Sequence, residues 1–271
     1  MTCGAPRDIS AGRLALRGWE WGAAGDPPVL LLHSLAAHGH WWDWAAPLLA
    51  DRFHVMALDF RGHGESRWAE PAAYRFADHV ADVVAALDAL GWRSPVVIGH
   101  SLGGYVGAYL AALHPDRVAR LVIADMLTGW TDEQDARARR QAERPAARFG
   151  SREEAAERFR LAPPETGAPA DWLRHLGEAG VVERAPGVWE QAFDRRVFLH
   201  PPVDPWPFLP GVAYPTLVVR GARSAVMDRD QWLRVTTTVA RGQFAEVAGA
   251  FHHLILDDPA QFVSVVERWL G

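Results

Sequence analysis

"VVIGHSLGGYVGAYLAALHP", residues Val96–Pro115, runs from an apolar segment into a serine set between glycines and then into a helical pattern. Val96, Val97 and Ile98 suit a buried strand, and the apolar spacing after Ser101 suits a helix. Between them Gly99-His100-Ser101-Leu102-Gly103 fits G-x-S-x-G in the strand-turn-helix context which that motif requires. A strained bend of this kind lifts the hydroxyl clear of the sheet, and glycine on either side avoids a Cβ that would strike neighbouring backbone. Gly104, Gly107 and Ala108 keep the next helix face small, so it can lie close on the sheet. Ser101 is therefore a candidate nucleophile. The competing reading is a tight turn with an incidental hydroxyl.

Outward from this bend, short apolar runs alternate with amphipathic helices, which predicts an α/β fold with a mostly parallel, doubly wound sheet. "RLALRGWEW" alternates like an early antiparallel strand, and "PPVLLLHS" and "FHVMALDF" are compact strands separated by a tryptophan-rich helix, "HWWDWAAPLLAD". A helix over roughly Tyr74 to Leu90 lines one face with Val80, Val83, Val84, Leu87 and Leu90 and stops at Gly91. "VARLVIAD" completes a βαβ unit. From about Leu127 to Pro210 the chain is rich in Arg, Glu, Ala, Pro and Trp, and strand-like runs vanish. This predicts a helical insertion at 127–210, with 1–126 and 211–271 forming one core. "YPTLVVRG" and "GQFAEVAG" resume the sheet, and a helix from Pro259 to Leu270 closes it.

With 271 residues the chain can bury a substantial core, and a formal charge of −5 without a Lys/Arg block argues against nucleic acid or anionic membrane as partner. The basic run Arg137 to Gln141 reads as an exposed helix face. Cys3, the single cysteine, cannot form an internal disulfide and is expected in a frayed terminal segment. The opening "MTCGAPRDISAGR" lacks an apolar run and no stretch is long enough to span a bilayer, so a cytoplasmic monomer or homodimer is expected.

On the bend, its flanking elements and a suitable downstream histidine, the chain resembles the α/β-hydrolase fold family. The likeness runs from Arg13 to Leu270 and is weakest in the insertion, which in that family is a variable cap over the active site. A serine nucleophile needs a neutral imidazole to take its proton. "VAGAFHHLILDDP" resembles the family's closing motif, whose spacing to Pro259 favours His252 as the base, with His253 as alternative. The histidine needs a carboxylate behind it. In many relatives that acid follows the strand after the cap, three residues beyond a glycine, where this chain has Ser224. Two replacements keep the family order: Asp125, at the end of "LVIAD", and Asp228, farther along the usual loop. Asp125 is preferred because a strand end is the more rigid mount; Asp228 could equally be a helix N-cap.

The resemblance also implies an oxyanion hole built from the backbone N–H of Leu102 and that of Leu35, in a loop where His33-Ser34-Leu35 replaces the family's usual His-Gly. Several of the 13 tryptophans fall near these elements, Trp41, Trp42 and Trp44 after the loop and Trp130, Trp172, Trp189 and Trp206 in the insertion. Ser34, Trp41, Trp42, Trp130 and Trp189 are the expected substrate-pocket residues. His33, His38 and His40 have no Asp, Glu or Cys at a recognisable ligand spacing, so neither a metal nor an organic cofactor is expected. His63, in "DFRGHGES", is expected to shape a loop. The reading is a serine hydrolase cleaving a carboxylic ester or lactone of an apolar or aromatic small molecule through an acyl-enzyme. One alternative keeps the constellation for carbon–carbon hydrolysis or for cofactor-free oxygenase or lyase chemistry. Another is a ligand-binding protein without turnover.

Overall fold

The computed structural model describes residues 3–12, 14–200 and 203–271. Arg13, the first residue of the expected early strand, and Met1 and Thr2 of the opening segment lie outside them. Strands β1 (Ala5–Ala11), β2 (Leu14–Trp21), β3 (Pro28–Leu32), β4 (His54–Leu58), β5 (Val96–His100), β6 (Arg120–Ala124), β10 (Pro215–Gly221) and β11 (Arg241–Val247) form one sheet in the order β1-β2-β4-β3-β5-β6-β10-β11. β1 pairs antiparallel with β2 and β2 with β4; every pairing from β4 to β11 is parallel. The segments before and after the insertion thus meet as neighbours, β6 beside β10.

The apolar runs that read as continuous serve both faces. Along β3, Leu30 and Leu32 enter one core and Val29 and Leu31 the other, as a pleat of period two dictates. Helices α2 (Phe76–Leu90), α3 (Leu102–Leu113) and α7 (Arg229–Thr238) cover the first face. The other carries α1 (Ala46–Leu49), α8 (Leu254–Asp257) and α9 (Pro259–Leu270). Gly91 ends α2 with φ 70°, a left-handed cap that glycine adopts without Cβ strain.

Three expectations change. The terminal segment is not frayed from Ala5 on, because β1 completes a hairpin with β2 across all its residues. The tryptophan-rich helix is two short turns, a 3₁₀ turn at Gly39–Trp42 and α1, because Trp41 and Trp42 are drawn into the core in a stretch too short for a regular face. The insertion does carry helices, α4 (Asp132–Glu143), α5 (Arg152–Arg158) and α6 (Ala170–Ala179), but also a three-stranded antiparallel sheet. Its strands are β7 (Arg148–Phe149), β8 (Val181–Ala185) and β9 (Val188–Gln191), in the order β7-β9-β8. β8 and β9 turn at Pro186-Gly187, with Gly187 at φ 71°; half-polar strands this short leave no apolar run. Among the described residues no helix is long and apolar enough to cross a membrane.

Candidate active site

Ser101 sits between β5 and α3 at φ 54° and ψ −113°, a region that non-glycine residues avoid. Close packing leaves the bend no alternative. A Cβ at Gly99 would run into the Gly103 carbonyl, and one at Gly103 into the Leu32 carbonyl at the end of β3. The Ser101 N–H donates to the Ala124 carbonyl (2.9 Å), which binds the bend to the end of β6.

One residue further, Asp125 adopts φ 48° and is fully buried. Its N–H donates to the Val219 carbonyl of β10 (2.8 Å), fixing the side chain at the sheet's C-terminal edge. The carboxylate accepts three hydrogen bonds: His252 Nδ1 to Oδ1 at 2.8 Å, the Ser224 hydroxyl to Oδ1 at 2.6 Å, and the Gly221 N–H to Oδ2 at 2.9 Å. The bond to Asp125 takes the Nδ1 proton, so in the neutral ring the lone pair lies on Nε2. The loop that carries it is held beside the bend, since His100 Nε2 donates to the His252 carbonyl at 2.9 Å and the two rings lie 4.8 Å apart. Burial holds the His100 pKa well below the usual imidazole value, so this ring remains a neutral strut.

The two other candidates for base and acid are engaged elsewhere. His253 Nε2 donates to the Pro163 carbonyl at 2.8 Å, and burial lowers its pKa to about 3. Asp228 caps α7, accepting from the Gln231 N–H at 2.8 Å while Gln231 reaches back to the Asp228 N–H. Ser224, at the position where many relatives carry the acid, donates its hydroxyl to the Asp125 carboxylate. Nothing local in the sequence signals this, because the contact joins two strands' loops.

The loop after β3 is shaped by His33, whose Nδ1 donates to the Ser34 carbonyl at 2.7 Å while Nε2 accepts from the Phe60 N–H at 3.0 Å. The Ser34 carbonyl also accepts from the Ala37 N–H (3.2 Å). In a trans peptide the next N–H points opposite to that carbonyl. Leu35 N–H is therefore turned away from these partners, and the contact between Gly103 and the end of β3 brings α3, with Leu102 at its first position, beside the same loop. His63 donates from Nδ1 to the Arg61 carbonyl, and Arg61 pairs with Asp82 through two hydrogen bonds of 2.5 and 2.6 Å, so the "DFRGHGES" loop is internally braced.

A cavity of about 310 Å³ lies between the loop after β3 and the insertion. Ser34, Leu35 and Trp41 line it from the core, and Phe159, Phe193 and Phe198 from the insertion, joined by Arg158, Arg160 and Arg195. Trp41 stacks on His100 with ring centroids 6.4 Å apart, which links the cavity to the serine bend. The other three tryptophans expected here are elsewhere. Trp42 is fully buried against Phe262, Trp130 packs edge-on to His200, and Trp189 lies under Arg152 in the small sheet. Each fills local apolar space, the usual fate of a large ring. Trp44 and Trp172 instead stack on each other at 4.4 Å, joining core to insertion.

A family model described as alpha/beta hydrolase fold matches residues 27–163, just over half of the chain. A serine hydrolase-like protein of Danio rerio is 39% identical over 111 residues, 41% of this chain and 34% of that protein. The lipase LipV of Mycobacterium tuberculosis is 40% identical over 106 residues, 39% of this chain and 40% of that one. The matched stretch thus spans well under half the length of either relative. Among solved structures, E-2-(acetamidomethylene)succinate hydrolase superposes with a TM-score of 0.83 at 23% identity, covering 98% of this chain and 99% of that one. At that identity the likeness is one of fold.

Proposed function

Because the chain belongs to the α/β-hydrolase fold family, we propose that it is a serine hydrolase that opens a carboxylic ester or lactone of an apolar or aromatic small molecule through an acyl-enzyme. Ser101 Oγ attacks the carbonyl carbon as His252 Nε2 takes the hydroxyl proton. Asp125 holds the ring in the tautomer that can accept it and stabilises the imidazolium that results. The N–H groups of Leu35 and Leu102 receive the charge that builds on the former carbonyl oxygen, an interaction worth roughly 3–4 kcal/mol per donor in such sites. His252 returns the proton to the leaving alcohol, and water repeats the sequence in reverse to release the acid.

The observation that carries this reading is the 2.8 Å hydrogen bond from His252 Nδ1 to a buried carboxylate at the strand end next to the Ser101 bend. The aromatic lining of the cavity supports an apolar acyl or alcohol portion, and its arginines support esters with a carboxylate at the far end. The test is a fluorophosphonate probe combined with p-nitrophenyl esters and lactones varied in length, aromaticity and terminal charge. Rapid labelling of Ser101 with ester turnover is expected. Labelling without turnover of any ester or lactone would reassign the same residues to carbon–carbon hydrolysis or to lyase or oxygenase chemistry, and no labelling at all would leave a binding protein.

A further inference from the structure

On the side of the core facing α6, four side chains of ligating type converge from three separate parts of the chain. Cys3 precedes β1, His40 lies in the 3₁₀ turn after β3 and Asp43 directly follows it, and His175 comes from α6 of the insertion. One ligand atom from each lies within 4.8 Å of all the others. We propose that these four residues form a transition-metal site, best matched to zinc, that fastens the N-terminal segment and the insertion to the core.

The geometry suits an ion better than a hydrogen-bond network alone. His40 Nδ1 and His175 Nε2 both reach the same oxygen, Asp43 Oδ2, at 2.9 and 2.8 Å, with their rings nearly perpendicular at 88°. The Asp43 side chain is buried, yet Oδ1 has no hydrogen-bond partner among the described residues. A sequestered carboxylate that leaves one oxygen unmet is costly, and such groups call for an explanation. Zinc takes imidazole nitrogen, thiolate sulfur and carboxylate oxygen at about 2.0–2.3 Å in a tetrahedron, which sets its ligand atoms roughly 3.3–3.8 Å apart. Shifting the two imidazole nitrogens away from Asp43 Oδ2 by less than about an ångström reaches that spacing, and the Cys3 thiol lies within 4.8 Å of all three atoms.

The charges also balance. A thiolate and a carboxylate offset the two positive charges of the ion, and both imidazoles bind as neutral rings. Binding releases the thiol proton to solvent and leaves each imidazole with its proton on the nitrogen facing away. The surroundings hold the rings in place: Trp19 lies 3.9 Å from His40, and Trp44, stacked on Trp172, meets His175 edge-on. With four protein ligands the site would be closed, as structural zinc sites are, and not part of the reaction at Ser101. Local spacing gave no warning of it, because Cys3 and His175 join only through the fold.

Chelator-treated full-length chain, kept reduced, would be titrated with Co²⁺ and Zn²⁺. One Co²⁺ per chain is expected, with tetrahedral visible bands and a near-ultraviolet thiolate-to-cobalt charge-transfer band. Zinc should displace the cobalt and, at a hundredfold excess over Kd, raise Tm by roughly 5 °C. Cys3→Ser should abolish the charge-transfer band, and His175→Gln should weaken zinc binding by at least about a hundredfold. Both side chains reach solvent, and equal Tm values in chelator would show that the variants fold. If His175→Gln fails that check, Cys3→Ser alone decides. A parent without the charge-transfer band, or binding zinc no tighter than Cys3→Ser, would reduce the cluster to a His-Asp-His hydrogen-bond network. None of these readouts depends on hydrolytic activity.

Discussion

Asp125→Asn tests the proposed acid, and its outcome follows from the hydrogen bonds that surround the carboxylate. Oδ1 accepts from His252 Nδ1 and Ser224, and Oδ2 from the Gly221 N–H. An asparagine has one acceptor and one donor end. With its oxygen toward His252, its NH₂ would face the Gly221 N–H, donor against donor, at about 1–3 kcal/mol for the unmet groups. Turned over, its oxygen accepts from Gly221 while the NH₂ meets a rotated Ser224 hydroxyl and His252 Nδ1. The second orientation meets both Gly221 and His252, but only if Nδ1 becomes the acceptor and the ring proton moves to Nε2. A ring so protonated cannot take the Ser101 proton. We expect kcat for a p-nitrophenyl ester to fall by about 10³–10⁴-fold, or roughly 4–5.5 kcal/mol in the barrier, with KM and Tm little changed. Asp228→Asn should leave kcat and stability as they were, since asparagine caps a helix as well as aspartate. An Asp125→Asn enzyme within tenfold of the parent, or an equal loss in Asp228→Asn, would refute the assignment.

Three further outcomes follow from the same geometry. Ser101→Gly should lose all fluorophosphonate labelling yet raise stability by about 1 kcal/mol in urea unfolding, because it relieves the positive φ; a destabilised variant would mean that the bend is not strained. Ser224→Ala removes one donor from the buried carboxylate and should lower kcat about tenfold without abolishing it; an unchanged kcat would make that hydroxyl a bystander. Six buried histidines, His33, His38, His63, His79, His100 and His253, have folded pKa values pushed below the ordinary one by burial. Below pH 6.5 the unfolded chain binds the protons these rings refuse, so stability present above that pH is lost as pH falls, at up to about 1.4 kcal/mol per pH unit for each ring. Asp59, raised to about 6 by burial, and Asp82, also raised by burial, oppose this with at most one proton each. Urea midpoints should therefore drop steeply between pH 7.5 and 5.5, and a flat profile would contradict the burial argument.

What could be read in the sequence was local. The serine bend, the span of α9 and the stop of α2 at Gly91 each rest on period or punctuation within a few residues. Asp125 and Asp228 could be separated only by the fold, which sends one carboxylate under His252 and turns the other into a helix cap. The hairpin at Pro186-Gly187 escaped because its strands are short and half polar, and the tryptophans misled because ring size says nothing about which wall a ring joins. Longest in reach, and least legible, was the meeting of Cys3, His40, Asp43 and His175.

The pairing of Asp125 with Ser224 separates the address of a negative charge from the residue that supplies it. β6 and β10 lie side by side, and each ends by delivering a short polar side chain to one spot beneath the same imidazole. A chain exchanging the two, D125S with S224D, would keep the same pair of oxygen-bearing groups at that spot with their suppliers reversed. Evolution could then have moved the anion from one strand to its neighbour without rebuilding the rest of the site.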